Sequence, residues 1–242
     1  MKQIFKTASI LVFSLALVFS LSACGSSSSN SDSSSQDAAQ EETTQDTSST
    51  QEEETSYIST VSDDDEYASG THHVKVNVKG YKSFTITLDA DSAPITVSNF
   101  CKLVKSGFYD GLTFHRAVAD FCLQGGDPQA NGTGGSDDCI LGEFSSNDVE
   151  NDLADNYERG VVAMARATDP NSASSQFFIT LSDDAAYSLN GQYAAFGTID
   201  KAGMKIVDKI TKNALKNVSD ESSGTIEEKS KQPKIKSMTI ID

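Results

Sequence analysis

The side chains able to do chemistry gather in three blocks. The first runs Thr113-Phe114-His115-Arg116, then Phe121-Cys122-Leu123-Gln124-Gly125-Gly126-Asp127-Pro128 and Gly132-Thr133-Gly134-Gly135. The second runs Gly160-Val161-Val162-Ala163-Met164-Ala165-Arg166 and then Ser172-Ala173-Ser174-Ser175-Gln176-Phe177-Phe178-Ile179. The third runs Leu189-Asn190-Gly191 to Phe196-Gly197, with Tyr193 between. Read singly, each residue has a plain structural use: Arg116 as a surface or paired arginine, Phe121, Phe178 and Leu189 as core, His115 as a packed, hydrogen-bonded histidine. Several chemistries lack their spacing. There is no nucleophile elbow or metal-ligand pair, which argues against hydrolysis. Neither the P-loop nor the strand-linked dinucleotide fingerprint occurs, and no basic stripe could track phosphates, so no nucleotide or nucleic-acid partner is expected. Cys101, Cys122 and Cys139 are odd in number and lack C-x-x-C spacing, which argues against a disulfide framework and a zinc site. Oxidation of one pair outside the cell stays open.

Short strands must carry these blocks. His73 to Lys79 alternates, with Val74, Val76 and Val78 on one face and Lys75, Asn77 and Lys79 on the other, the pattern of a half-buried strand. Phe84, Ile86 and Leu88 repeat it after Gly80-Tyr81, which predicts a hairpin. Asp91-Ser92-Ala93-Pro94 offers capping residues before a proline at a helix start. Val97, Phe100, Leu103 and Val104 share one face of that helix, and Gly107 ends it. A second helix is predicted from Lys201 to Ile210, where Met204, Val207 and Ile210 recur at helical spacing, and Ser237 to Ile241 reads as a closing strand. Many short strands, two isolated helices and no βαβ rhythm predict a mainly β fold, an antiparallel barrel rather than a parallel sheet.

The N-terminal part is of another kind. Gly25 to Glu66 holds twelve Asp and Glu, no Lys or Arg, and runs of Ser, Thr and Gln. Such a segment buries too little apolar surface to offset its ordering entropy and is expected to be disordered. The whole chain has a formal net charge of −16, whereas residues 67–242 carry seventeen Lys and Arg against twenty-three Asp and Glu, near −6. Lys2 and Lys6 precede an apolar stretch from Ala8 to Phe19, too short and too early for a spanning helix, so residues 1–23 read as a signal peptide. Leu21-Ser22-Ala23-Cys24, followed by Gly25, resembles the bacterial lipoprotein processing box. The resemblance implies a diacylated Cys24 at the mature N-terminus, a stable membrane anchor. The expected organisation is signal peptide 1–23, lipidated Cys24 and tether 24–66, and folded domain 67–242. About 42 flexible residues give a reach on the order of 35 Å. The expected location is extracytoplasmic, on the bacterial cell membrane.

Together the three blocks resemble the signatures of the cyclophilin-type peptidyl-prolyl cis/trans isomerases, over about residues 71 to 242. The resemblance implies an eight-stranded antiparallel β-barrel capped by two α-helices. It further implies isomerisation of Xaa-Pro bonds in proline-containing polypeptides, with neither metal nor cofactor, by a protein expected to be monomeric. The amide bond resists rotation by about 18–20 kcal/mol because its nitrogen lone pair is delocalised. Uncatalysed exchange at proline takes tens to hundreds of seconds. A catalyst need only favour the twisted amide, whose nitrogen becomes pyramidal and regains its lone pair; a fixed guanidinium bonds to it more strongly as that happens. The resemblance makes Arg116 this donor. It places Phe121, Cys122, Phe178 and Leu189 around the proline ring, Gln124, Ala165 and Arg166 along the peptide backbone, Gln176 beside them, and Tyr193 where many members have a pocket histidine.

The sequence also departs from the family. Cys122 replaces a pocket methionine, Ala119-Asp120 replaces Pro-Gly, and Ser188 falls where a tryptophan is usual. The smaller Cys122 implies a looser pocket. Two other functions fit parts of the sequence. A module that binds proline segments without turnover would keep the shape but has no need of Arg116 together with Phe121 and Gln124. A solute-binding lipoprotein usually needs two larger lobes than residues 67–242 supply.

Overall fold

The computed structural model describes residues 56–62 and 64–242. The predicted signal peptide, Cys24 and the tether as far as residue 55 lie outside the described residues.

The chain folds as β1 (Tyr57–Ile58), β2 (Thr71–Val78), β3 (Phe84–Asp89), α1 (Pro94–Lys105), β4 (Phe114–Val118), β5 (Cys122–Gly125), β6 (Cys139–Ile140), α2 (Asp152–Asp155), β7 (Val161–Met164), β8 (Phe177–Thr180), α3 (Ala186–Leu189), β9 (Ala195–Thr198), α4 (Lys201–Ala214) and β10 (Ile235–Ile240). Eight strands form one antiparallel sheet in the order β10-β2-β3-β9-β7-β8-β5-β4. Its two edges meet. Gly111 N–H donates to the Ile235 carbonyl (2.9 Å), Ile235 N–H to Leu112 (2.8 Å) and Phe114 N–H to Pro233 (2.9 Å), which closes the sheet into a barrel with no long unpaired edge.

Period-two alternation sorts the strand residues. One set, including Val74, Val76, Ile86, Leu88, Phe114, Leu123, Val162, Met164, Phe177, Ile179 and Phe196, belongs to the main core. Their chain neighbours Cys122, Val161, Ala163, Phe178 and Ala195 belong to a second apolar cluster. Every residue of β7 and β8 is therefore buried, as in strands covered on both faces. Helix α1 lies against β3 and β10, and α4 against β3 and β4. They bury Val97, Phe100 and Val104, and Met204, Val207 and Ile210, in the main core.

Several boundaries differ from the sequence reading. Helix α4 runs one turn further, to Ala214, because Ala214 continues the buried stripe. The closing strand begins at Ile235, whose side chain is fully buried. The one-turn helices α2 and α3 join the two long ones. At α1 neither Asp91 nor Ser92 caps the helix. The buried Glu143 does so from a distant loop, its carboxylate accepting from Ile95 N–H (3.0 Å), Thr96 N–H (2.8 Å) and Thr96 Oγ1 (2.6 Å). Cys101, Cys122 and Cys139 are all free thiols.

The largest correction is the start of the domain. Part of the stretch that composition assigns to the tether is packed. Tyr57 and Ile58 pair in parallel with Cys139 and Ile140, and Val61 packs on the main core. Asp65 accepts from Ser98 Oγ (2.5 Å) and pairs with Lys102 (2.7 Å), while Glu66 pairs with Lys105 (2.7 Å). Acidic side chains that repel one another in an isolated segment meet the basic face of α1 instead.

Candidate active site

Strand register brings distant residues into one row. Arg116 on β4 lies opposite Gln124 on β5, Gln124 opposite Phe178 on β8, and Phe178 opposite Ala163 on β7. Directly opposed residues face the same side, and Cys122, two residues before Gln124, joins them. That side is the outer face, where the second apolar cluster holds Cys122, Phe144, Phe178 and Leu189, with Phe121, Ala165 and Tyr193 packed against it. The Phe178 and Tyr193 rings meet edge to face at 5.6 Å. Phe121 is presented by a turn in which Asp120 takes φ 56°, the left-handed conformation a glycine would accept most easily. Leu181 N–H donates to the Phe121 carbonyl (3.0 Å), fixing the turn to the end of β8.

Arg116 is held from two directions. Its Nε donates to the Ser223 carbonyl at 2.7 Å, and its Nη1 to Gln124 Oε1 at 3.2 Å and Cys122 Sγ at 3.1 Å. Its guanidinium carbon lies 5.9 Å from the centre of the Phe121 ring. Among the described residues Nη2 makes no hydrogen bond, so both its protons remain available beside the apolar cluster.

A chain of amides backs this grip. Gln124 Nε2 donates to Gln176 Oε1 (2.9 Å), and Gln176 Nε2 to the carbonyls of Gly132 (3.1 Å) and Gly134 (2.7 Å). The glycine loop is shaped by Asp127, whose carboxylate accepts from the backbone N–H groups of Gln129, Asn131 and Gly132. Burial alone would raise its pKa, but these three bonds outweigh it and hold the carboxyl below the usual range.

The two titratable side chains next to Arg116, His115 and Cys122, are neutral. Burial pushes the His115 pKa down to about 4, with Arg116 adding to the effect and Asp127 opposing it. His115 packs as expected, but neither ring nitrogen has a hydrogen-bond partner among the described residues, so that part of the sequence reading fails. Burial pushes the Cys122 thiol up to about 11 against the pull of Arg116, which leaves a protonated Sγ rather than a nucleophile. Among the described residues no group of three or more His, Cys, Asp or Glu side chains could hold a metal ion. The site offers one positive donor, neutral amides and an apolar wall, suited to stabilising a redistribution of charge within a bound group.

Arg166 lies apart from this grip. Its guanidinium sits 4.9 Å from the Tyr193 ring centre and 5.2 Å from that of Phe144, and it donates to the carbonyls of Gln192, Ala167 and Thr168. Ser188 is exposed, with its hydroxyl turned back to the Ala185 carbonyl (3.2 Å).

Sequence reasoning missed four contributors: the carbonyls of Ser223, Gly132 and Gly134, and the Phe144 ring. A backbone acceptor leaves no side-chain signal. The run Asp220-Glu221-Ser222-Ser223-Gly224 does announce a turn, though not what it serves.

Comparison with known proteins bears on the family and the fold. Residues 73–240 match the model of the cyclophilin type peptidyl-prolyl cis-trans isomerase/CLD family. The chain is 41% identical over 128 residues to peptidyl-prolyl cis-trans isomerase-like 1 of Rhizopus delemar, covering 53% of this chain and 73% of that one. It is 39% identical over 140 residues to peptidyl-prolyl cis-trans isomerase A of Dickeya dadantii, covering 55% and 68%. A solved Cryptosporidium parvum cyclophilin, crystallised in the presence of the dipeptide Ala-Pro, superposes with a TM-score of 0.57 at 28% identity, covering 70% of this chain and 99% of that one. With the eight-stranded antiparallel barrel and a family match over residues 73–240 in agreement, the chain belongs to the cyclophilin-type peptidyl-prolyl cis-trans isomerases.

Proposed function

We propose that this isomerase acts on Xaa-Pro bonds of exported polypeptides at the outer face of the cytoplasmic membrane, with Arg116 as its catalytic residue. The observation that carries the catalytic reading is the Arg116 guanidinium, fixed through Nε and Nη1 while Nη2 makes no hydrogen bond among the described residues. Phe121, Phe178, Leu189 and Cys122 receive the proline ring. Gln124, Ala165 and Arg166 line the path of the peptide, Gln176 braces Gln124, and Tyr193 closes the wall. The neighbour crystallised in the presence of the dipeptide Ala-Pro supports a proline-containing peptide as ligand.

The mechanism follows from these positions. Enclosing the proline removes water, which weakens the charge-separated amide resonance form and lowers the rotational barrier. As the bond twists, the nitrogen lone pair localises and the Arg116 donor bonds to it. A hydrogen bond to a charged group contributes about 1.5–3 kcal/mol, or roughly ten- to a hundredfold in rate. No proton is transferred, consistent with the neutral His115 and protonated Cys122.

The location rests on Lys2, Lys6, the apolar run and the Leu21 to Cys24 box. No helix among the described residues is long and apolar enough to cross a membrane. Two measurements test the proposal. The full chain should accelerate isomerisation of a short Xaa-Pro peptide and refolding of a proline-limited protein; no acceleration of either would overturn the catalytic reading. Cys24→Ala should move the protein from the membrane to the soluble fraction, and retention at the membrane after signal-peptide removal would overturn the anchor.

A further inference from the structure

We infer that the turn Asp220–Gly224 is a positioning device for Arg116 and that Asp220 is the side chain that sets it, an inference that rests on the isomerase reading of the site. Strand β4 is bonded on one side to β5 and on the other to the segment after this turn. Ala117 N–H donates to the Gly224 carbonyl (2.8 Å), and Ile226 N–H to the His115 carbonyl (2.9 Å). Arg116 thus lies between two backbone bonds to the same segment, opposite Thr225. From there the Ser223 carbonyl reaches its Nε. Gln124 and Cys122 grip only Nη1, leaving the guanidinium free to swing about that end. A second acceptor on Nε fixes its plane, and with it the direction of the Nη2 donors.

The direction of the Ser223 carbonyl is set inside the turn. The Asp220 carboxylate accepts from Ser222 N–H (3.0 Å) and Ser222 Oγ (2.7 Å). Its backbone carbonyl accepts from Gly224 N–H (2.8 Å) and Ser223 Oγ (3.2 Å). Ser219 N–H donates to the Thr225 carbonyl (2.9 Å) and closes the base. Gly224 takes φ +71°, and a Cβ there would stand 2.5 Å from the Ala117 carbonyl oxygen, so the turn approaches β4 as closely as backbone allows. Asp220 itself is exposed and belongs to neither apolar cluster. The Ser222 hydroxyl, then its N–H, hold the Asp220 carboxyl below the usual range. An exposed carboxylate spent wholly on shaping one turn, whose inward bond ends on the catalytic arginine, is a support of the kind that holds a reacting group to fractions of an ångström.

The test uses the full chain, an Xaa-Pro peptide and the nitrogen-15 resonance of the Arg116 Nε–H group. Asp220→Ala should lower kcat about three- to tenfold, the loss of one ordinary hydrogen bond, with KM within about twofold. The Nε–H signal should shift and exchange faster with solvent. Asp220→Asn keeps an oxygen acceptor for Ser222 N–H and should restore most of kcat and the signal. Gly224→Ala, which pushes the turn off β4, should mimic Asp220→Ala in both readouts. An unchanged Nε–H signal in Asp220→Ala would overturn the inference, as would equal impairment of Asp220→Ala and Asp220→Asn, or a kcat loss matched by loss of folded protein. If the unaltered chain fails to isomerise the peptide, the isomerase reading falls, and the Nε–H signal alone decides whether Asp220 positions Arg116.

Discussion

Phe177 and Phe178 are neighbours on one strand, yet they belong to different parts of the molecule. Phe177 is fully buried in the main core, its ring 5.7 Å from those of Phe100 and Tyr109 and 6.0 Å from that of Phe114. Phe178 turns to the outer face, where it meets Tyr193 and the pocket cluster. One face of the sheet is a close-packed interior. The other is a smaller apolar cluster whose Phe121 ring lies beside the Arg116 guanidinium. The alternation of a strand sends the same residue type into the core at one position and to the proposed binding face at the next, and substitutions should separate the two.

The largest effect should come from the inner face. Phe177→Ala should cost about 3–5 kcal/mol of folding stability in denaturant titrations, because the cavity it leaves cannot collapse among the three aromatic rings around it. Next comes acid sensitivity through His115 on β4. Its folded pKa of about 4 lies below its ordinary value, so protonation favours the unfolded chain. The stability it contributes should be complete above about pH 6.5 and decline as pH falls towards 4, by about 3 kcal/mol in the limit. His115→Leu should remove that part of the decline, and an unchanged pH profile would contradict the assignment.

Phe178→Ala should sharpen the contrast by costing only about 2 kcal/mol of stability while raising KM about tenfold, since it forms the pocket wall rather than the interior. If both phenylalanines cost equal stability and leave KM alone, the two faces are not functionally distinct. The smallest effect concerns the segment before the barrel. A chain beginning at Tyr67 loses β1 and the Asp65 and Glu66 contacts to α1. It should lose about 1 kcal/mol in a thermal melt, as partly exposed ion pairs and a two-residue strand imply, with kcat unchanged.

The regular part of this architecture was legible because alternation is strict where one face is buried: Val74, Val76 and Val78, or Phe84, Ile86 and Leu88, can be placed by counting. The candidate site was named through the family resemblance and not by counting, since Arg116, Gln124 and Phe178 share a row only once the order of β4, β5 and β8 is known. What remained hidden was non-local or carried by backbone. Glu143 caps a helix 47 and 48 residues away in sequence, and Ser223 acts on Arg116 across 107 residues through a carbonyl every residue has. The acidic run ending in Glu66 misled because composition counts charge without its partners, here Lys102 and Lys105.

The central claim is that a fixed guanidinium at the rim of the outer pocket stabilises the twisted amide. Turnover of a single Xaa-Pro peptide by well-folded Arg116→Ala, beside the unaltered chain, tests it directly. The account predicts a loss of about one to two decades in kcat, following from about 1.5–3 kcal/mol for a charge-assisted hydrogen bond, with little rescue by Arg116→Lys, whose ammonium lacks the planar fork that Ser223 and Gln124 hold. Equal turnover by Arg116→Ala and the unaltered chain would contradict it and leave desolvation by the pocket as the source of catalysis.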